Sequence, residues 1–372
     1  MYESFPLRIH YINILQSVPI MKKNFTTFII LFIFFLMLAL PSVTKQASNE
    51  GLNLWIFNVL PALLPYTIIS SLLMQLNAFA IPCRLVGRIF KCTLPENEIF
   101  IIICGCLCGC PIGAKVAATS YKKGSISKTR AEFLMCTCNN LSPSFLINYI
   151  FVEVYAPFIS LTAIHKYILF FIMLSSSLIG AFVVHIFFKT KKSYRTYPRI
   201  NKKISESIKA SSHTQKQLTT NQAATNKITT VQSFTNVVAN KKPALSKLFE
   251  DCILSSFEIQ AKIGGYIILF TIISNLFLQT LYLSDIQAAI FGSTLEITSG
   301  LGLFLSCGDS STTIPAYFII ALITAFTTFG GICTIFQTKT AISDSGLSIK
   351  KYGISKLIAG CVAFLLSIVL IN

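Results

Sequence analysis

The stretch IFIIICGCLCGCPIGAK, from Ile99 to Lys115, begins as a membrane-crossing run and stops being one halfway along. Gly105, Gly109, Pro111 and Gly113 interrupt it, and Lys115 follows directly. Hydrocarbon offers no partner to a freed backbone N–H or C=O, so a helix broken at membrane depth must line a cavity or meet protein or a ligand. The stretch predicts an all-α integral membrane protein, a polytopic helical bundle with broken or re-entrant helices. It also points to a transporter rather than an enzyme.

Composition agrees. Hydrophobic residues make up 53% of the 372 and charged ones 12%, too apolar for a soluble chain of this size. The formal charge of +17 is concentrated: Lys189 to Lys247 holds 13 Lys or Arg against one acid, Glu206, a local +12 (13 − 1). That charge belongs to a polar linker, expected to be cytoplasmic and disordered, and no nucleic-acid module accompanies it. Cys104, Cys106, Cys108 and Cys110 alternate inside an apolar run, where cysteine behaves as a small hydrophobe; the spacing is not that of a zinc site, and no metal is expected.

In chain order, residues 1–24 read as an N-terminal tail, with Met21 as an alternative start. Residues 25–50 read as a membrane anchor built on the 19-residue apolar run Phe25 to Val43; a cleaved signal peptide is the competing reading. Residues 51–188 form a first membrane repeat. It comprises a surface-lying helix over Asn53 to Pro65, a span from Leu63 to Ala80, the broken stretch, and a second break at Asn139-Asn140-Leu141-Ser142-Pro143. The linker occupies 189–247 and a second repeat 248–372. The latter reads as a surface-lying helix (Leu248 to Ala261), a span opening at Gly264-Gly265, a span from Ile286 to Leu305 containing Glu296 and Thr298, a break at Gly330-Gly331, and a last span from Ile354. A carboxylate at the bilayer centre costs roughly 2.5–3.5 kcal/mol. Glu296 is thus the candidate for coupling to H⁺ or Na⁺, or for gating, with Thr298 beside it.

Sliding the second half back by 222 positions sets Gly331 on Gly109, Gln337 on Lys115, Gly346 on Gly124 and Lys350 on Lys128. Paired interruptions in two halves are the mark of a repeat transporter with a midplane site. Half-helix N-termini favour anionic groups, and Lys115 adds positive charge. The expected ligand is a small anionic or strongly polar solute. Its expected contacts are Gly109, Pro111, Gly113, Lys115, Asn139, Asn140, Ser142, Gly330, Gly331 and Gln337.

These motifs, Gly109 to Lys115, Asn139 to Phe145, Leu295 to Gly300, and Gly330-Gly331 with Gln337, resemble those of the YlbJ sporulation integral membrane proteins. The resemblance implies two nucleoside-recognition (Gate) domains, a relation to concentrative nucleoside transporters, and residence in the outer forespore membrane. It implies movement of dipicolinate toward the spore in support of cortex formation, with no cofactor beyond a coupling ion. Homo-oligomers or sporulation membrane proteins are the implied partners besides solute and lipid. A nucleoside transporter and a membrane scaffold whose linker recruits a partner are the alternatives.

Overall fold

The computed structural model describes residues 25–76, 78, 80–89, 94–155, 158, 163–188, 245–308 and 314–371. The tail 1–24, with Met21, and the basic linker up to residue 244 lie outside them. Among the described residues every regular element is helical. Among the same residues five helices are long and apolar enough to cross a bilayer: Pro41–Leu73, Ile164–Phe187, Leu245–Thr280, Ala316–Ala341 and Ile349–Ile371.

Three boundaries differ from the sequence reading. α1, Phe25–Ala39, stops at Leu40 (φ −124°), because Pro41 has no N–H to donate and takes the first position of α2, Pro41–Asn53. The predicted anchor is therefore split between α1, too short to cross, and the start of the next span. That span also absorbs the predicted surface helix. α2 passes through a π-helical turn, Leu54–Val59, into α3, Leu60–Gln75. Pro61 and Pro65 cannot donate to the ladder, and the widened turn takes up the mismatch. In the second half, α10 (Leu245–Thr280) is one helix where two were expected. Gly264 does not break it because it serves packing: the Trp55 ring rests on it, and a Cβ there would fall 2.5 Å from the ring.

The remaining elements fall into two series. After α4 (Ala80–Ile89), α5 (Glu96–Cys108) and α6 (Ile112–Lys122) fold back on each other as a hairpin. A broken helix follows, α7 (Lys128–Cys138) and α8 (Pro143–Phe145, continued by the π-helical turn Leu146–Val154), then the unbroken α9 (Ala163–Phe187). Beyond α10, α11 (Asp285–Leu295) and α12 (Ile297–Leu303) form a second hairpin. Next come a broken helix, α13 (Ala316–Phe329) and α14 (Gly331–Ala341), and the unbroken α15 (Ile349–Ile371).

The hairpins enter from opposite ends of the bundle. Glu98 at the base of the first pairs with Arg130 at the start of α7, and Glu132 on α7 pairs with Lys351 at the start of α15. The first hairpin therefore opens at the N-terminal end of α15. The second packs Phe304 on Phe326 of α13, while Phe318 of α13 meets Phe364 near the C-terminal end of α15. Its base lies at that other end. α9 runs against α15: a Cβ on Gly180 would lie 2.4 Å from the Ser355 carbonyl oxygen.

This arrangement overturns the 222-residue register. Gly109 sits at the reversal of a hairpin, whereas Gly331 begins the second half of a through-going broken helix, so that register pairs unlike elements. Matching elements by kind sets Gly109 to Pro111 beside Glu296, and Asn139 to Ser142 beside Gly330-Gly331. The predicted span from Ile286 to Leu305 is also corrected. It reverses at Glu296 (φ −136°, ψ 120°), and Gly300 permits the close return, since a Cβ there would fall 2.1 Å from the Ser293 nitrogen.

One core cluster gathers Tyr149, Tyr155, Leu301, Phe304 and Ile320; another surrounds the first hairpin with Ile101, Met135 and Tyr352. Phe171, Phe182, Leu365 and Val369 on α9 and α15 point outward, as apolar side chains facing lipid do.

Candidate functional site: two re-entrant tips against two helix breaks

Each hairpin tip is set against one of the breaks. At the first, Gly109 (φ 73°, ψ −164°) brings the tip so close that a Cβ would lie 2.7 Å from the Ser142 nitrogen and 3.0 Å from the Asn140 carbonyl oxygen. The Cys110 N–H donates to that carbonyl at 2.7 Å. Gly113 serves the hairpin itself, its Cβ position lying 3.0 Å from the Gly105 Cα. Asn139, fully buried where α7 ends, accepts from the Ala114 N–H through Oδ1 (3.1 Å). Its amide nitrogen donates to Thr338 Oγ1 (2.9 Å) and the Tyr352 hydroxyl (3.0 Å), and Tyr352 donates in turn to the Asn139 carbonyl (3.1 Å). Ser142 caps α8, its hydroxyl accepting from the Phe145 N–H at 3.2 Å. Asn140 donates to the Thr137 carbonyl at 2.9 Å and accepts from the Lys356 ammonium.

At the second tip, Glu296 is 1% exposed and is the N-cap of α12. Its carboxylate accepts from the Ser299 N–H (2.7 Å) and the Ser299 hydroxyl (3.0 Å). A buried carboxylate held by helix N-terminal donors is the favourable local arrangement for such a charge. Thr298 stands beside the same carboxylate, and its carbonyl accepts from Tyr149 at 2.8 Å, joining this tip to α8. Gly330 and Gly331 both have positive φ (84° and 75°). A Cβ on Gly331 would lie 3.2 Å from the Ser293 carbonyl oxygen and 3.3 Å from the Ile297 nitrogen, so the second break packs directly on the second tip.

α14 joins the two pairs. Gly331 lies at one, Thr338 at the other, and Cys333 between them is within electrostatic reach of both Glu296 and Cys110. Of the residues expected from sequence, Gly109, Pro111, Gly113, Asn139, Asn140 and Ser142 come together, as do Glu296, Thr298, Gly330 and Gly331. Gln337 is buried beside them, but its amide donates to Cys333 one turn back on the same helix, and the neighbouring Thr338 makes the contact across elements. Lys115 does not join. Its side chain is exposed, with Glu258 and Lys262 of α10 as its charged neighbours. Sequence reasoning missed Thr338, Tyr352 and Lys356. Lys356 had a signal, a cation inside the last apolar run; the other two had none.

A chain of crossing helices, with two re-entrant hairpins held against broken helices, is a multi-pass all-α membrane protein. It is 25% identical over 347 residues to the "Sporulation integral membrane protein YlbJ" of Bacillus subtilis (strain 168), a match covering 87% of this chain and 76% of that one. The resemblance carried by the motifs thus extends over most of the chain. No protein-family profile matches it, and no solved structure does.

Proposed function

We propose that the protein is a membrane transporter of a small anionic solute, dipicolinate, moved across the outer forespore membrane during sporulation. The observation that carries this reading is the pairing of each re-entrant tip with a helix break, from opposite ends of the bundle. Such an arrangement lets either tip withdraw while the other still closes the interior, as alternating access requires. Irregular backbone at this depth is tolerated in lipid only where protein or a cavity surrounds it. On this reading the two series of elements are inverted repeats of Gate type, and the protein is not an enzyme and uses no cofactor. Asn139, Asn140, Gly109 and Gly331 shape the path, and Glu296 with Thr298 holds the coupling proton or Na⁺. The end carrying Lys122, Lys123, Lys128, Arg130, Lys350 and Lys351 is then the cytoplasmic one.

Uptake of labelled dipicolinate into proteoliposomes, with a nucleoside as control, tests the reading. Dipicolinate uptake above empty vesicles supports it. Nucleoside uptake alone replaces the solute and keeps the class, and no flux of either by folded protein removes transport in favour of a scaffold.

A further inference from the structure

The last span carries a cation that no carboxylate among the described residues answers. Lys356 is 3% exposed, on α15 opposite the first break. Its ammonium donates to Asn140 Oδ1 and stands 5.8 Å from the centre of the Tyr352 ring. The other titratable side chains near it are the thiols of Cys110, Cys136 and Cys138. None of the ion pairs among the described residues includes it. The contrast with its neighbours is direct: Lys351 on the same helix is paired with Glu132 at 2.7 Å, and Arg130 with Glu98. An ammonium has three donors, and inside a protein such a charge is disfavoured unless an anion pairs with it.

We infer that Lys356 is the anion-recognising residue of the transport path, meeting a carboxylate of the solute between the Asn139-Asn140 break and the face of Tyr352. This rests on the transporter reading above and assigns its charge selectivity to a residue on the last helix. The surroundings suit a flat dicarboxylate. Asn140 and Thr338 supply hydrogen-bonding groups, Tyr352 an aromatic face, and Lys356 the opposite charge at one side. The tip at Gly109 to Pro111 covers this position through the Cys110 to Asn140 bond, so its withdrawal uncovers Asn140 and Lys356 together. Lys115, the cation expected from sequence, faces Glu258 and Lys262 instead.

The experiment is uptake of labelled dipicolinate by reconstituted full-length protein, competed with unlabelled dipicolinate or with its uncharged diamide of the same shape. In the wild type the dianion competes far better than the diamide. In Lys356→Gln uptake falls about tenfold or more, the loss expected for one charge-assisted hydrogen bond, and the two competitors become equal. Lys356→Arg keeps the preference for the dianion. Asn140→Asp gives Lys356 an internal partner, so uptake is lost while the thermal midpoint holds or rises, which separates loss of the site from loss of the fold. A Lys356→Gln protein that still prefers the dianion, or an Asn140→Asp protein that transports it as the wild type does, overturns the inference and leaves the transporter reading standing. No dipicolinate uptake by the wild type overturns both.

Discussion

Replacing Gly109 by alanine tests the closed tip most directly. The backbone at Gly109 (φ 73°, ψ −164°) lies in a region open essentially to glycine, and holding another residue there costs about 1–3 kcal/mol. The new methyl would stand 2.7 Å from the Ser142 nitrogen and 3.0 Å from the Asn140 carbonyl oxygen. Both are backbone atoms, so the tip must retreat and the bond from Cys110 to Asn140 opens. A buried donor left without its acceptor adds about 1–3 kcal/mol. The sum, about 2–6 kcal/mol, is large beside the 5–15 kcal/mol that usually separates folded from unfolded. Gly124→Ala is the matched control. Its φ is 71°, yet nothing lies within 4 Å of the added atom, so the expected cost is about 1 kcal/mol. The assay is twofold: the thermal midpoint in detergent, and maleimide labelling of Cys110, 8% exposed in the closed tip, read by peptide mass spectrometry. Gly109→Ala should lower the midpoint more than Gly124→Ala and expose Cys110. An unchanged midpoint with Cys110 still protected would refute the close approach of tip and break.

Three further outcomes follow from the contacts. Lys351→Met strands the Glu132 carboxylate, whose side chain is 7% exposed, and should cost about 3–5 kcal/mol by thermal unfolding; Lys351→Met combined with Glu132→Gln should recover most of it, and an additive double mutant would deny the pair its coupling. Glu296→Gln keeps an oxygen to cap α12 and should unfold within about 1 kcal/mol of the wild type while abolishing ion-dependent uptake; Glu296→Ala should lose about 1–2 kcal/mol of cap as well. Asn139→Leu removes the acceptor of Ala114 and the donor to Thr338 and Tyr352, and a fall in stability of about 2–4 kcal/mol is expected; a smaller loss than that of Ser142→Ala would argue against its central place.

The break after Ile99 was legible because glycine and proline inside an apolar run have few other uses at membrane depth. What the chain does after a break was not. Gly109 and Gly331 look alike in sequence, yet one closes a reversal and the other a through-going helix, because the outcome depends on which helix packs on the glycine. Glu296 was legible as an expensive charge. Its place at a reversal was not, since that rests on Gly300 meeting Ser293 and on Ser299 capping. Lys115 drew attention by lying next to the break, where helical rotation turns it outward; Lys356, the eighth residue of α15, faces inward by the same geometry. The basic turns around Lys122 to Arg130 and Lys350-Lys351 gave no orientation signal when treated as equivalent. They share one end of the bundle because they belong to different steps of the two series.

The opposed entry of the two hairpins sets a rule of parity on the chain between them. α9 finishes at the end of the bundle where α15 begins, and α11 starts at the other, so the described chain between them, α10, has to cross from one end to the other. α10, at 36 residues and 1.5 Å per residue, is about 54 Å long and suffices for that passage. Insertions that leave the passage count odd preserve the architecture whatever their length, whereas one added or deleted crossing would turn the second series upside down and set both hairpins at the same door.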